Sequence, residues 1–76
     1  MGQRPTISFR EFLVRVQSLG FQPTRQRGSH IRFEHADGRK TTIPDHGSKD
    51  VPVGLMGKII RHDLKMDLES FFDGTG

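Results

Sequence analysis

The sequence predicts an α+β domain of order α-β-β-β-α, a three-stranded antiparallel sheet with two helices packed on one of its faces. Three observations carry that expectation. A capping box opens an apolar stripe of helical period at residue 8, two short stretches between residues 29 and 43 alternate with period two, and a second helical stripe begins near residue 54.

Ser8-Phe9-Arg10-Glu11 is the capping box: the Ser8 hydroxyl accepts from the Glu11 N–H while the Glu11 carboxylate reaches back. Behind it Phe9, Phe12, Leu13, Val16 and Leu19 share one helical face, with Arg10, Arg15 and Gln17 elsewhere. Gly20 supplies the left-handed residue that ends a helix, and Phe21 folds back as the apolar contact that follows it. The pattern predicts a helix over 8–19. Residues 21–27 read as a short polar strand, and Pro23, which cannot donate to a ladder, makes it an edge strand. After a break at Gly28, residues 29–35 alternate, with Ile31 and Phe33 on one face and His30, Arg32 and Glu34 on the other. Residues 39–43 form the third strand.

Register decides the connection between the last two strands. A two-residue turn at Asp37-Gly38 would set Arg32 opposite Ile43 and Phe33 opposite Thr42, mixing the faces. A three-residue loop, Ala36-Asp37-Gly38 with Gly38 left-handed, pairs Ile31 with Ile43, Phe33 with Thr41 and Glu34 with Lys40. It keeps the apolar residues inward and sets opposite charges across from each other. The same register gathers His30, Arg32, Glu34, Lys40 and Thr42 on the open face.

Residues 44–53 are a turn-rich crossing loop. A second helix is expected over 54–63, its buried stripe being Leu55 or Met56, Ile59, Ile60 and Leu64. Gly57 within it costs about 1 kcal/mol relative to Ala, so this helix relies on tertiary packing. Asp67 is placed to cap a short terminal turn over 67–72, and residues 73–76 are expected to fray.

Composition bounds the function. The chain has 76 residues, 32% of them hydrophobic, which is enough for a single domain over residues 1–76. A chain of this size buries only roughly 60% of its unfolded surface, so its stability should be modest. The absence of Cys excludes a disulfide scaffold, a cysteine zinc site and a thiol nucleophile. No apolar run exceeds Phe12-Leu13-Val14, too short to span a membrane, and the polar stretch Met1–Thr6 lacks the apolar segment of a signal peptide, so a cytoplasmic protein is expected. The net charge of +3 is unevenly spread: residues 1–40 hold eight basic and three acidic groups, residues 41–76 four and six. A basic front half suggests a polyanionic partner.

The histidines are the natural candidates for chemistry. His30 follows Gly28-Ser29 at the start of a strand, on the open face, with Arg32 beside it and Arg25, Arg27 and Lys40 within strand-neighbour reach. A small Gly-Ser approach lets a polymer backbone come close to the imidazole, and the cations would bind phosphate, the setting of a general acid or base for phosphodiester cleavage. The plain alternative is a solvated His on a polar strand. His46, in the loop after Ile43-Pro44-Asp45, could approach the same sheet edge. His35 points inward at a strand end and is assigned to structure, and His62, near the end of the second helix, to a structural or surface role. No metal site is expected: no His pair has helical i, i+4 spacing, and Asp45, His46 and Asp50 are a weak ligand set. Ser29 and His30 are adjacent and point to opposite faces, against a Ser–His nucleophile. With no Tyr or Trp, and all six Phe on core-facing positions or at the tail, base stacking is unpromising. What remains is a binder of nucleic-acid backbone with one or two well-placed His.

Gly28-Ser29-His30, followed by Asp37-Gly38, Thr42-Ile43-Pro44-Asp45-His46, Lys49 and Gly54, resembles the HicA-type toxins (the YcfA-like family), small messenger-RNA interferases of toxin–antitoxin systems. The resemblance runs from the first helix through the second. Leu55-Met56-Gly57 and residues 62–67 depart from the family's common pattern. The resemblance implies a fold like that of a double-stranded-RNA-binding domain, metal-free endoribonuclease activity on mRNA, no cofactor, and a HicB-type antitoxin that covers the active face. It implies that His30 is the catalytic residue. Arg25, Arg27, Ser29, Arg32 and Lys40 would then hold the RNA phosphate, with Gly28, His46 and Lys49 as secondary positions. The rival reading is a non-catalytic RNA-binding or protein-interaction domain that uses the same basic face.

Overall fold

The computed structural model describes residues 6–73. Its first helix, α1 (Phe9–Ser18), begins where the capping box places it: the Glu11 N–H donates to Ser8 Oγ at 3.1 Å. The reciprocal arm differs from expectation, since the Glu11 carboxylate pairs with Arg15 one turn on, at 3.3 Å. The remaining amides of the first turn find other acceptors. The N–H groups of Phe9 and Arg10 donate to the carbonyls of Lys49 and Gly47, at 2.8 and 3.0 Å. The loop that follows the sheet is thereby laced to the start of α1, and the Val51 N–H donates to Ile7 O in the same seam. Helix amides otherwise left without partners are supplied by tertiary contact rather than by a side chain.

Gly20 ends the helix at φ 102°, the left-handed conformation expected of it. A side chain there would also lack room: an added Cβ would lie 2.8 Å from His35 Nε2. His35 occupies that space structurally, as its inward position suggests. Its Nδ1 lies 3.1 Å from the Asp37 N–H, and its Nε2 is 3.2 Å from Leu19 O. Its ring meets Phe21 edge-on at 5.0 Å.

The three strands, β1 (Gln22–Arg27), β2 (His30–Glu34) and β3 (Lys40–Pro44), form one antiparallel sheet in the order β1-β2-β3. β1 is an edge strand, as Pro23 predicts. The β2–β3 register is the expected one: Ile31 faces Ile43, Phe33 faces Thr41 and Glu34 faces Lys40. Gly38 is left-handed at φ 101° in the connecting loop.

The β1–β2 ladder contains a feature that alternation does not announce. Pro23 pairs with Phe33, yet Arg25, not Thr24, pairs with Arg32. Thr24 is therefore the extra residue of a β-bulge. Phe21 is 1% exposed, and Pro23 continues its inward phase. Without a bulge Arg25 and Arg27 would share that phase and point away from the open face. The inserted residue turns both arginines to the open face.

After the crossing loop the second helical segment also departs from expectation. A regular helix over 54–63 gives way to an α-helix, α2 (Val53–Lys58), continued by a π-helical turn over Ile59–Asp63. The Leu64 N–H reaches back five residues to Ile59 O at 2.9 Å. The wider turn puts Ile59, Ile60 and Leu64 all in the core. It also brings Asp63 beneath the sheet, where its carboxylate accepts from the hydroxyl of Thr41 at 2.8 Å. Arg39 donates to Leu64 O and crosses the ring of Phe21 at 5.1 Å, placing a cation at the helix end where the dipole favours one.

The terminal segment is a third short helix, α3 (Leu68–Asp73), rather than a single turn. Asp67 caps it as expected, its carboxylate accepting from the Ser70 N–H at 2.7 Å. Of residues 73–76, expected to fray, Asp73 is instead the last residue of α3, while 74–76, like the polar start at residues 1–5, lie outside the described residues. One core joins all layers: Phe9, Phe12, Leu13 and Val16 of α1, Phe33 and Ile43 of the sheet, Met56, Ile59, Ile60 and Leu64, and Phe71 of α3. The helices cover one face of the sheet. The other is open.

Candidate active site

The open face is built in three cross-strand rows. Arg27, His30 and Pro44 form the first, Arg25, Arg32 and Thr42 the second, and Gln22, Glu34 and Lys40 the third. Gly28, at φ 60°, opens a two-residue turn at the position where a type II′ hairpin needs glycine, and that turn starts β2 at His30. Every residue of β1 is exposed, so nothing in the described chain covers the arginines.

Two adjoining grooves follow from these rows. One, of about 230 Å³, is lined by Arg25, Arg27, His30, Arg32 and Thr42. The other, of about 330 Å³, is lined by Thr24, Arg25, Arg32 and Glu34. Arg25 and Arg32 belong to both. Placing two like charges directly across a ladder is unfavourable, and an anion between them relieves the repulsion. Glu34 offsets the charge of Arg32 alone: its carboxylate accepts from Arg32 Nε at 3.2 Å and from the Thr24 hydroxyl at 3.4 Å. With about 40% of both side chains exposed, this ion pair adds little stability. Arg25 and Arg27 make no ion pair among the described residues.

The residues marked in the sequence thus separate into two groups. His30, Arg25, Arg27 and Arg32 converge on one groove. Gly28 and Ser29 form the turn above it; an added Cβ on Gly28 would meet nothing within 4 Å, and the Ser29 carbonyl accepts from the Asp45 N–H at 2.7 Å. Lys40 shares the face but stands opposite Glu34, about 13 Å along the strand from the row of His30. His46 and Lys49 line neither groove. The His46 ring lies edge-on to Phe9 at 4.9 Å, and Lys49 offers its carbonyl to the Phe9 N–H. Thr42, Thr24 and Glu34 are groove residues that the sequence reading did not single out as site residues. Thr42 was accessible from the β2–β3 register, which puts it opposite Arg32. Thr24 was not, because its position depends on the bulge. Among the described residues no three His, Asp or Glu side chains come together as a metal-binding group.

Fold and face together define a small α+β domain whose open antiparallel sheet presents a basic groove around one histidine. The family model described as HicA toxin of bacterial toxin-antitoxin matches residues 9–64, which includes both grooves and the core beneath them. The chain belongs to the HicA toxin family, and it is the toxin of a toxin–antitoxin system. No curated protein sequence matches it. No helix among the described residues is long and apolar enough to cross a membrane.

Proposed function

We propose that this toxin is an endoribonuclease that cleaves messenger RNA without a metal, with His30 as its proton-transferring group. The observation that carries the reading is the groove in which the imidazole of His30 shares walls with Arg25, Arg27 and Arg32. A polyanion drawn to three guanidinium groups there brings a phosphodiester against the one side chain of the groove whose ordinary pKa lies near neutrality.

The RNA supplies its own nucleophile. The 2′-hydroxyl attacks the adjacent phosphorus, a new P–O bond closes a 2′,3′-cyclic phosphate, and the bond to the 5′-oxygen of the next nucleotide breaks. His30 takes the proton from the 2′-hydroxyl or gives one to the departing 5′-oxygen, a contribution of about 10²–10⁴-fold. Arg25, Arg27 and Arg32 balance the charge that grows on the phosphorus oxygens. The second proton transfer falls to water, since the His46 ring packs against Phe9 and lines neither groove. A HicB-type antitoxin that covers this face would block the reaction, and an mRNA substrate places the action in the cytoplasm, where loss of messages inhibits translation and growth as in a stress response.

One observation favours a second reading, an RNA-binding domain without catalysis: His30 is the only histidine lining the groove, where cleavage calls for two proton transfers. A single experiment separates them. Purified protein and His30→Ala are incubated with RNA in EDTA. Cleavage by the wild type alone, leaving 2′,3′-cyclic phosphate and 5′-hydroxyl ends, is the expected result. Cleavage retained by His30→Ala removes the imidazole from the mechanism, loss of wild-type cleavage in EDTA points to a metal, and binding with no cleavage by either protein supports the second reading.

A further inference from the structure

We infer that the second groove, walled by Thr24, Arg25, Arg32 and Glu34, is a base-reading subsite that prefers a nucleobase bearing an amino group over uracil. The inference rests on the RNA reading above and assigns a selectivity to the neighbouring part of the same face. Its starting point is charge. Arg25 and Arg32 belong to both grooves, so a strand gripped at His30 continues past them toward Glu34. At Glu34 the path meets the one carboxylate of the two grooves, beside Arg25 and Arg32 and opposite Lys40. A phosphate placed against that carboxylate would be repelled, so the part of the nucleotide that fits beside it is the base.

The chemistry of the groove then selects among bases. Glu34 is about 40% exposed and uses Oε2 toward both Arg32 Nε and the Thr24 hydroxyl, and among the described residues nothing donates to Oε1. A carboxylate only accepts, so it favours an edge rich in donors, such as the exocyclic amino group of cytosine or adenine. Uracil presents two carbonyl oxygens on either side of its single N–H, and both would face the carboxylate unfavourably. The bulge contributes directly: as the extra residue, Thr24 stands at the groove wall with its hydroxyl toward Glu34 and toward the Arg32 carbonyl, 3.4 Å from each. Recognition of this kind needs no stacking ring.

The test uses binding, so that it does not depend on catalysis. In the His30→Ala background, which keeps the second groove whole, affinities for short oligocytidylate, oligoadenylate and oligouridylate are measured by fluorescence anisotropy at fixed salt. Binding of the cytidine and adenosine oligomers about tenfold tighter than the uridine oligomer is the expected result. Adding Glu34→Gln, which presents an amide donor as well as an acceptor, should bring the three affinities within about twofold. Equal affinities before that substitution overturn the inference, as does a preference that survives it. A uniform weakening that leaves the ratio unchanged shows that Glu34 only positions Arg32, and overturns it too. Failure of His30 as catalyst appears separately, in the cleavage experiment.

Discussion

Arg25 stands directly opposite Arg32, although the Pro23–Phe33 pair just before it predicts Thr24 in that place. Two cations therefore face each other on the open side of the sheet, and the residue that puts them there is a threonine with no counterpart on β2. Thr24 as the odd residue makes a specific deletion informative. Without it Pro23 still faces Phe33 and Arg25 still faces Arg32 in an unbroken ladder. The Thr24 deletion is expected to fold, with a Tm lowered by roughly 4–8 °C for about 1 kcal/mol of lost local fit. A cross-strand NOE between the α-protons of Arg25 and Arg32 checks the register. Deleting Gln26 instead turns Arg27 away from the open face, into the exposed phase that Gln26 holds opposite Ile31. Absence of the Arg25–Arg32 NOE from the Thr24 deletion would contradict the bulge assignment.

The arginines also carry a prediction about salt. If Arg25 and Arg27 each neutralise one phosphate of single-stranded RNA, replacing either with Ala lowers the slope of log K against log salt by about 0.7. For an oligomer short enough to occupy only the His30 groove, Lys40→Ala leaves the slope unchanged, because Lys40 lies at the far row of the face. Filter binding across a salt series measures both.

Beneath the sheet, Thr41 is 5% exposed and its hydroxyl is joined to Asp63. Thr41→Val keeps the shape and removes the donor, leaving a half-buried carboxylate without this partner. A loss of about 1–3 kcal/mol in chemical denaturation is expected. Adding Asp63→Ala to Thr41→Val should cost less than the two single changes combined, since each removes the same bond.

Acid sensitivity follows from two exposed carboxylates outside the site. The Arg39 side chain and its N–H hold the Asp37 pKa below its ordinary value of 3.8. The Ser70 N–H does the same for Asp67. A carboxyl group whose pKa is lower folded than unfolded contributes stability that is fully present above the unfolded value and lost as pH falls through the folded one. Tm should therefore decline as pH drops below about 3.8, and the double variant Asp37→Asn, Asp67→Asn should decline less steeply there. Thermal unfolding at a series of acidic pH values measures the difference.

Much of this molecule was legible before any coordinates. Ser8, the Phe9–Val16 stripe and Gly20 mark a helix through spacings of three and four. The contrast of Phe33 with Arg32 and Glu34 marks a strand through a spacing of two. The β2–β3 register was readable too, because only a three-residue loop keeps Ile31, Phe33 and Ile43 on one side. Membership of the HicA toxin family was foreshadowed by Gly28-Ser29-His30 and Thr42-Ile43-Pro44-Asp45-His46, and the match over residues 9–64 shows it.

The tertiary structure alone decided how the site is assembled. Phe21, Arg25 and Arg27 share one parity, so the run holds an unmarked conflict between core and open face. Only pairing against Phe33 and Arg32 shows that the strand resolves it at Thr24. The π-helical turn is of the same kind: the spacings of Met56, Ile60 and Leu64 suit an ordinary helix, and the wider turn goes with Ile59 and Asp63 both meeting the rest of the fold. Periodicity is encoded by residues a few places apart, so the chain itself determines helices, strands and the family signature. A bulge or a widened turn is set by contacts across the sheet and core, and those contacts decided that His30 shares its groove with three arginines while Lys40, His46 and Lys49 stand away from it.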